Sequence, residues 1–391
     1  MGTEKVKFSA SLFKSAALLF LSGGFFVLSA QAAQNAQKSK ELRVGLLSRE
    51  SEDSLGMCAR GRLMALQKLH EESPQLKIEI EEKKFQSASF LKSLNELIQS
   101  SDVNFKKPDV LMIPDDETLL GQAEPLVTAQ HVPIVFPGSA DSQSSFHLSP
   151  YIFPMGASVR LLARRSVSYM ERSLEVKRLI LLREVSSDRD LLWTAQIQSA
   201  LAQSSGKVRL QEELRLSPGE ALQEAIKTIS SRHPDIIFAS LPAASLVQLV
   251  SQLKAASLST PVFAPYGRFD TNSELARGDE WVGHFVVSDY SPEDPHKRVQ
   301  VFVDDFKKKH SGELPNREAA LCYDSLLFAA KAALARTSKE SLREPLLRIH
   351  DFEGLMGPRI YSSSLGLMRN VYLLRTQKEG LRLMEASPLK P

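Results

Sequence analysis

Apolar and polar positions along this chain fall into short unbroken apolar runs separated by longer stretches of helical spacing. Two pairs of runs are near-echoes of each other. Lys107-Pro108-Asp109-Val110-Leu111-Met112-Ile113 is followed, some two dozen residues on, by Val132-Pro133-Ile134-Val135-Phe136-Pro137-Gly138. His233-Pro234-Asp235-Ile236-Ile237-Phe238-Ala239 is followed at a similar interval by Thr260-Pro261-Val262-Phe263-Ala264-Pro265-Tyr266-Gly267. In each pair a Pro-Asp turn feeds a run without polar alternation. That is the pattern of a strand buried on both faces, hence of a parallel strand covered by helices. The interval suits a crossover helix with two short loops. The echo predicts two similarly built α/β lobes.

The rest of the chain fills in around these repeats. Leu42 to Leu47 is a predicted first strand, and Cys58 to Glu72 has helical spacing through Leu63, Leu66 and Leu69. Leu76 to Phe85 sets Leu76, Ile78 and Ile80 against charges, as an edge strand does, and Ser89 to Ser100 is an amphipathic helix. With the first repeat this makes β-α-β-α-β-α-β, a doubly wound sheet. The Ser-rich, Pro-bounded stretch from Ser139 to Pro154 predicts a crossing to the second lobe. Helices over Ala157–Ser173, Asp188–Gln203 and Pro218–Arg232 then alternate with strands over Arg178–Val185 and Val208–Leu216, ahead of the second repeat and a strand over Gly283–Asp289. Ser291-Pro292-Glu293-Asp294-Pro295 predicts a second crossing. Helices follow over Pro295–His310, Arg317–Arg336 and Lys339–Ile349, and two apolar strands close on the hairpin signal Lys378-Glu379-Gly380. The expected architecture is two doubly wound parallel-sheet lobes linked by several crossings. Residues 41–153 with 290–365 make lobe 1, and 154–289 with 366–391 make lobe 2.

Composition narrows the function. A length of 391 residues suits two domains, each with its own core, and 43% hydrophobic with 24% charged residues is the make-up of a soluble globular protein. Formal charge is only +3, and the densest basic clusters, Arg164-Arg165 and Lys307-Lys308-Lys309, have no interleaved aromatics. Nucleic acid is therefore not an expected partner. At the N-terminus Lys5, Lys7 and Lys14 precede an apolar core from Ala16 to Leu28, and Ser29-Ala30-Gln31-Ala32-Ala33 offers small residues for cleavage. This reads as a signal peptide over residues 1–32. Its core is shorter than the roughly 20 residues of a spanning helix. The mature chain is expected in the periplasm.

Cys58 and Cys322 fall on predicted helices and face apolar neighbours. An exported compartment permits a bridge, but two buried free thiols are the expectation. No cysteine or histidine grouping has metal-ligand spacing. There is no Gly-x-Ser-x-Gly elbow and no phosphate-cradling glycine loop. No catalytic residue, metal or cofactor is expected.

In the C-terminal third, Ala319-Ala320-Leu321-Cys322-Tyr323-Asp324-Ser325-Leu326-Leu327 is followed by an Ala-rich helix and then by Phe352-Glu353-Gly354-Leu355-Met356-Gly357-Pro358-Arg359-Ile360. This resembles the type I periplasmic-binding-protein family, in particular its branched-chain amino-acid branch, where a Tyr-Asp-Ala helix precedes a Phe-x-Gly-x-x-Gly turn and a final hairpin. Val132 to Ala140, then Tyr151-Ile152-Phe153, is similar to that family's strand, its small-residue ligand loop and the aromatic step into the second lobe. The resemblance runs from about residue 41 to 385. It implies a ligand cleft between the lobes, a small-molecule ligand and the membrane permease of an ABC importer as partner. Three loops depart from the family: Ser48-Arg49-Glu50-Ser51-Glu52, Pro114-Asp115-Asp116-Glu117, and Tyr266-Gly267-Arg268 where an acidic residue is common. These departures argue against an ordinary aliphatic amino acid. They also keep open an alternative, a binding fold turned into a sensor or a regulator of an envelope enzyme or receptor.

Ligands of open parallel sheets sit at the carboxyl ends of the strands. Gly138, Ser139 and Ala140 are the first candidates, because small residues let a ligand approach backbone and Ser139 adds a hydroxyl. Asp115 and Asp116 suit a cation, but their expected role is in the first turn of a helix, where acids offset the dipole. Tyr266 and Arg268 would stack on and pair with an anion, or belong to a solvated loop. Arg49 and Glu50 would contact the ligand, or belong to a solvated loop. Tyr323 resembles the family's cleft-facing tyrosine, with helix packing as its alternative. Asp324 would support the hinge, and Trp193 and Trp281 read as core or rim.

Overall fold

The computed structural model describes residues 40–50, 56–99, 106–140, 149–185, 187–217, 222–266 and 279–388. The segment read as a signal peptide and Arg268 lie outside these residues. No helix among the described residues is long and apolar enough to cross a membrane.

The first lobe is built on β1 (Lys40–Arg49), α1 (Met57–Glu72), β2 (Leu76–Phe85), α2 (Phe90–Ile98), β3 (Val110–Met112), α3 (Glu117–Gln130), β4 (Ile134–Phe136) and β5 (Ile152–Pro154). Its five strands are all parallel, in the order β2-β1-β3-β4-β5. Every residue of β3 and β4 is buried, whereas β2, at the sheet edge, exposes Lys77, Glu82 and Lys84. That difference follows from the sequence, unbroken apolar in one case and alternating in the other. The fifth strand is a departure from expectation. Ile152-Phe153-Pro154 lies within the stretch read as a crossing, yet it pairs with Ile134-Val135-Phe136. Three residues are too few to show a period.

The second lobe holds α4 (Val159–Arg172), β6 (Arg178–Glu184), α5 (Asp188–Ala202), β7 (Arg209–Leu216), α6 (Gln223–Arg232), β8 (Ile236–Ser240), α7 (Ala243–Ala255), β9 (Val262–Pro265) and β10 (Phe285–Ser288). The chain then returns to pack α8 (Lys297–Lys309), α9 (Arg317–Ala335) and α10 (Arg343–Arg348) against the first lobe. Val299, Phe302 and Phe306 of α8 share one core with Leu42 and Val44 of β1. Two short ladders, β11 (Glu353–Gly354) with β12 (Gly357–Pro358) and β13 (Ile360–Ser362) with β14 (Gly366–Met368), lead back to the second lobe. There β15 (Val371–Gln377) and β16 (Gly380–Ser387) add an antiparallel hairpin, giving the order β16-β15-β10-β9-β8-β6-β7.

The two Pro-Asp turns do the same work in each lobe. Asp109 accepts the backbone N–H of Arg43 at 2.8 Å and pairs with its guanidinium at 3.2 Å. Asp235 accepts the N–H of Arg178 at 2.8 Å and pairs with its guanidinium, also at 2.8 Å. Each carboxylate thus clamps the start of the neighbouring parallel strand to its own and holds the register. Burial on its own would raise the Asp235 carboxyl, but its bonds to Arg178 and to the Lys177 and Arg178 amides outweigh it and hold the group below the usual range.

The expectation of two free thiols is overturned. Cys58 and Cys322 form a disulfide with a Cα–Cα distance of 5.2 Å across a sequence separation of 264. Both cysteines do lie on helices, but α1 and α9 pack face to face. A Cβ at Gly61 would stand 2.1 Å from the Ala319 carbonyl oxygen. Gly61 is one turn on from Cys58, and Ala319 one turn before Cys322, so this close approach brings the two sulfurs together.

Candidate functional site

Three crossings join the lobes, and they are bonded to one another. The Ala157 N–H of the first donates to Asp289 Oδ2 of the second at 2.7 Å. Arg369, in the third and fully buried, donates to the Met155 carbonyl at 3.0 Å and the Gly357 carbonyl at 2.8 Å. Its desolvation in this apolar surround lowers its affinity for a proton. Asp324, buried on α9, accepts the N–H groups of Leu355 at 2.8 Å and Met356 at 3.3 Å. The two most distinctive C-terminal motifs of the sequence are thereby tied to each other. Burial raises the Asp324 carboxyl above its ordinary value, although Arg369 and these amides favour the charged form.

Beside the crossings, loops from the carboxyl ends of both sheets meet. Ser139 follows β4 and Tyr266 follows β9, and their side-chain oxygens lie 3.2 Å apart. Both residues are buried, at 3% exposure each. Above the Tyr266 ring, 3.6 Å from its centre, lies the guanidinium of Arg317. This arginine is the first residue of α9, placed there by the Asn316 cap, whose side chain accepts the Ala319 N–H. It is paired through two nitrogens with Asp289, which is 0% exposed, and with Asp115 at 3.2 Å. Burial alone would lower the Arg317 proton affinity, yet Asp289, Tyr266 and Asp115 raise it above the ordinary arginine value. Burial also pushes the Tyr266 hydroxyl up. Both groups stay protonated throughout the physiological range. A second guanidinium, Arg189 in the first turn of α5, lies 5.6 Å from the centre of the same ring.

The loops are packed to contact. A Cβ at Gly138 would fall 2.0 Å from Asp115 Oδ1 and 2.7 Å from the Phe136 ring, so this position admits only glycine without rearrangement.

Among the residues singled out from sequence, the structure brings Gly138, Ser139, Asp115 and Tyr266 together, with Ala140 buried next to them. Asp116 does a different job: it caps α3, accepting the N–H groups of Thr118 at 2.9 Å and Leu119 at 3.3 Å, and pairs with Arg49. Arg49 also donates to Ser87, and Glu50 accepts from Gln86 at 2.7 Å, so these two join the β2 side of lobe 1. Tyr323 is not at this cluster. Its ring packs at 4.8 Å on Phe302 in the core beneath α8, and burial raises its hydroxyl beyond the usual phenol range. Trp193 is fully buried, edge-on to Tyr266 at 5.9 Å, and Trp281 is buried at 2%.

Sequence reasoning missed Arg317, Asp289 and Arg189. Arg317 stands directly before the Ala319–Tyr323 motif, and Asp289 ends a predicted strand in the position where the other strand ends were searched. That position was the available signal.

The sequence profile of periplasmic binding proteins matches residues 68–380. The chain belongs to that family. Family membership carries a solute-binding role, and the architecture is that of type I periplasmic binding proteins. The leucine-binding protein LivK from Thermotoga maritima superposes with a TM-score of 0.73 at 14% identity, covering 88% of this chain and 98% of that one. The branched-chain amino-acid transporter substrate-binding protein LivJ from Streptococcus pneumoniae, solved with isoleucine, gives 0.74 at 19% identity over 90% and 100% of the two chains. A solute-binding protein of an ABC transporter from R. palustris, solved with benzoate, gives 0.72 at 17% identity over 89% and 97%. Identities this low establish the fold alone. No curated protein sequence matches this periplasmic binding protein.

Proposed function

We propose that this periplasmic binding protein captures a small polar ligand, an amino acid or a related amide or carboxylate, between its lobes and delivers it to the permease of an ABC importer. In this reading the chain works outside the cytoplasm after removal of residues 1–32. Residues 41–153 with 290–365 move as one lobe against 154–289 with 366–391. The supporting observation is the meeting of Ser139 and Tyr266, one from each sheet's carboxyl edge, at 3.2 Å. Such edges are where open parallel sheets hold ligands, and a ligand touching both loops favours the closed form that a permease recognises.

The test is a thermal-shift screen of the chain from Ala33 onward against amino acids, amides, carboxylates and sugars. A ligand at a hundredfold over its Kd stabilises the native state by about 2.7 kcal/mol. One compound class should raise the Tm by several degrees, and Ser139→Ala with Tyr266→Phe should abolish that rise. A flat response from folded protein would count against solute capture.

A second reading has one observation in its favour. Arg317 already spans Asp115, Asp289 and Tyr266, so the lobes are held closed by the protein's own groups. A chain closed in this way would act as a sensor or envelope regulator through protein contact, and it would give the flat response.

A further inference from the structure

We propose that the cleft selects a carboxylic acid that lacks an α-ammonium, with Arg189 as the residue that receives the carboxylate; this rests on the solute-binding reading above. Arg189 contrasts with its neighbours. Arg317 is paired with two aspartates and Arg49 with Asp116. Arg189 makes no hydrogen bond and no ion pair among the described residues, and its guanidinium lies 5.6 Å from the centre of the Tyr266 ring. Five N–H donors in a planar fork, half-buried beside the Tyr266 ring, have no acceptor among the described residues. A carboxylate is the group whose geometry matches that fork in a bidentate pair.

The hydroxyls supply the second contact. Ser139 and Tyr266 bring two O–H hydrogens to one mutual hydrogen bond, so one hydrogen stays available to an acceptor. Arg189 and Tyr266 come from the second lobe and Ser139 from the first, so an anion held by all three would be gripped from both sides.

The acids decide against an ammonium. Asp115 and Asp289 are the carboxylates at the cluster, and both are bonded to Arg317. Asp116 and Glu117 belong to the start of α3, the former as its cap. Of the carboxylates whose field reaches Arg189, Asp115 and Glu117, the first is thus already neutralised. A zwitterion's ammonium would have to compete for Asp115 and Asp289 with Arg317, or for Glu117 with the groups that already engage it; a simple acid anion would not.

The experiment is calorimetric titration of the chain from Ala33 onward with matched probes: 4-methylpentanoate, its amide and leucine, then benzoate and benzamide. The acids should bind at least tenfold more tightly than their amides and than leucine. Arg189→Gln should weaken the acids tenfold or more, and Arg189→Lys should recover part of that loss because it keeps the charge without the fork. Circular dichroism checks that both variants fold. Leucine or the amides binding as well as the acids, or acids binding equally to Arg189→Gln, would overturn the assignment of Arg189 while solute binding stands. No heat with any probe, from folded protein, would overturn both.

Discussion

Arg317 concentrates more of the molecule's electrostatics than any other side chain described at the cleft. It neutralises Asp289, which has no exposure to water, and stacks on Tyr266 at 3.6 Å. Removing it leaves a buried carboxylate with the Ala157 N–H for company. Breaking a buried pair from one side costs about 3–5 kcal/mol, so Arg317→Ala should lower the urea midpoint by the equivalent amount. Arg317→Lys should not rescue it, since an ammonium can neither pair through two nitrogens nor stack as a plane. A milder loss, about 1–3 kcal/mol from overpacking, is expected for Gly138→Ala, whose new methyl meets Asp115. Asp235 gives a pH signature. Its folded carboxyl titrates below the unfolded one, so its contribution is present above about pH 4 and is lost as pH falls through the folded value. Asp235→Asn should therefore lower stability at pH 7 and leave a shallower acid decline in urea midpoints taken from pH 7 down to pH 3.

The pairing of α1 with α9 is the clearest case of two helices placing chemistry. The same face that joins Cys58 to Cys322 positions the start of α9, from which Arg317 reaches the cleft. A cross-link closing so long a loop contributes about 2–5 kcal/mol. Cys58→Ser with Cys322→Ser should lower the denaturant midpoint accordingly, and a reducing agent should reproduce the shift in the unmodified protein but not in the double variant. The period of α1 was misplaced in part: Leu69 is buried and Leu66 packs on the core, but Leu63 is 55% exposed and the buried face runs through Gly61, Met64 and Ala65. The helices themselves were nonetheless readable in the chain. Their mutual approach was not. It depends on Gly61 meeting the Ala319 backbone, a contact between segments far apart in sequence that leaves no period in either.

For the molecule as a whole, the link from Ser139 to Tyr266 and the Arg317 network hold the two lobes together on the cleft side. Tyr266→Ala should remove the hydroxyl pair and the stacking surface at once. X-ray scattering should then show a larger radius of gyration than for the unmodified protein, with secondary structure unchanged; an unaltered radius would mean that the crossings alone set the lobe angle.

Much of this architecture was written in short-range pattern. The unbroken runs of β3, β4, β8 and β9, the alternation of β2 and the Lys378-Glu379-Gly380 turn each announce themselves within ten residues, because burial on one face or two imposes a period on neighbouring positions. The small-residue loop at Gly138-Ser139 was legible for the same reason: it ends such a run. Tertiary structure decided what no local period encodes. It chose which helix faces meet, and so made a disulfide of Cys58 and Cys322. It turned Tyr323 onto Phe302 and sent Arg317 of the same helix to the cleft. It gave Asp289 its arginine from the start of α9. Charged and polar side chains at loop ends read alike in a sequence, whether solvated, capping or paired. Only the fold sets which opposite charge stands within hydrogen-bond reach, and that distance decides what each of them does.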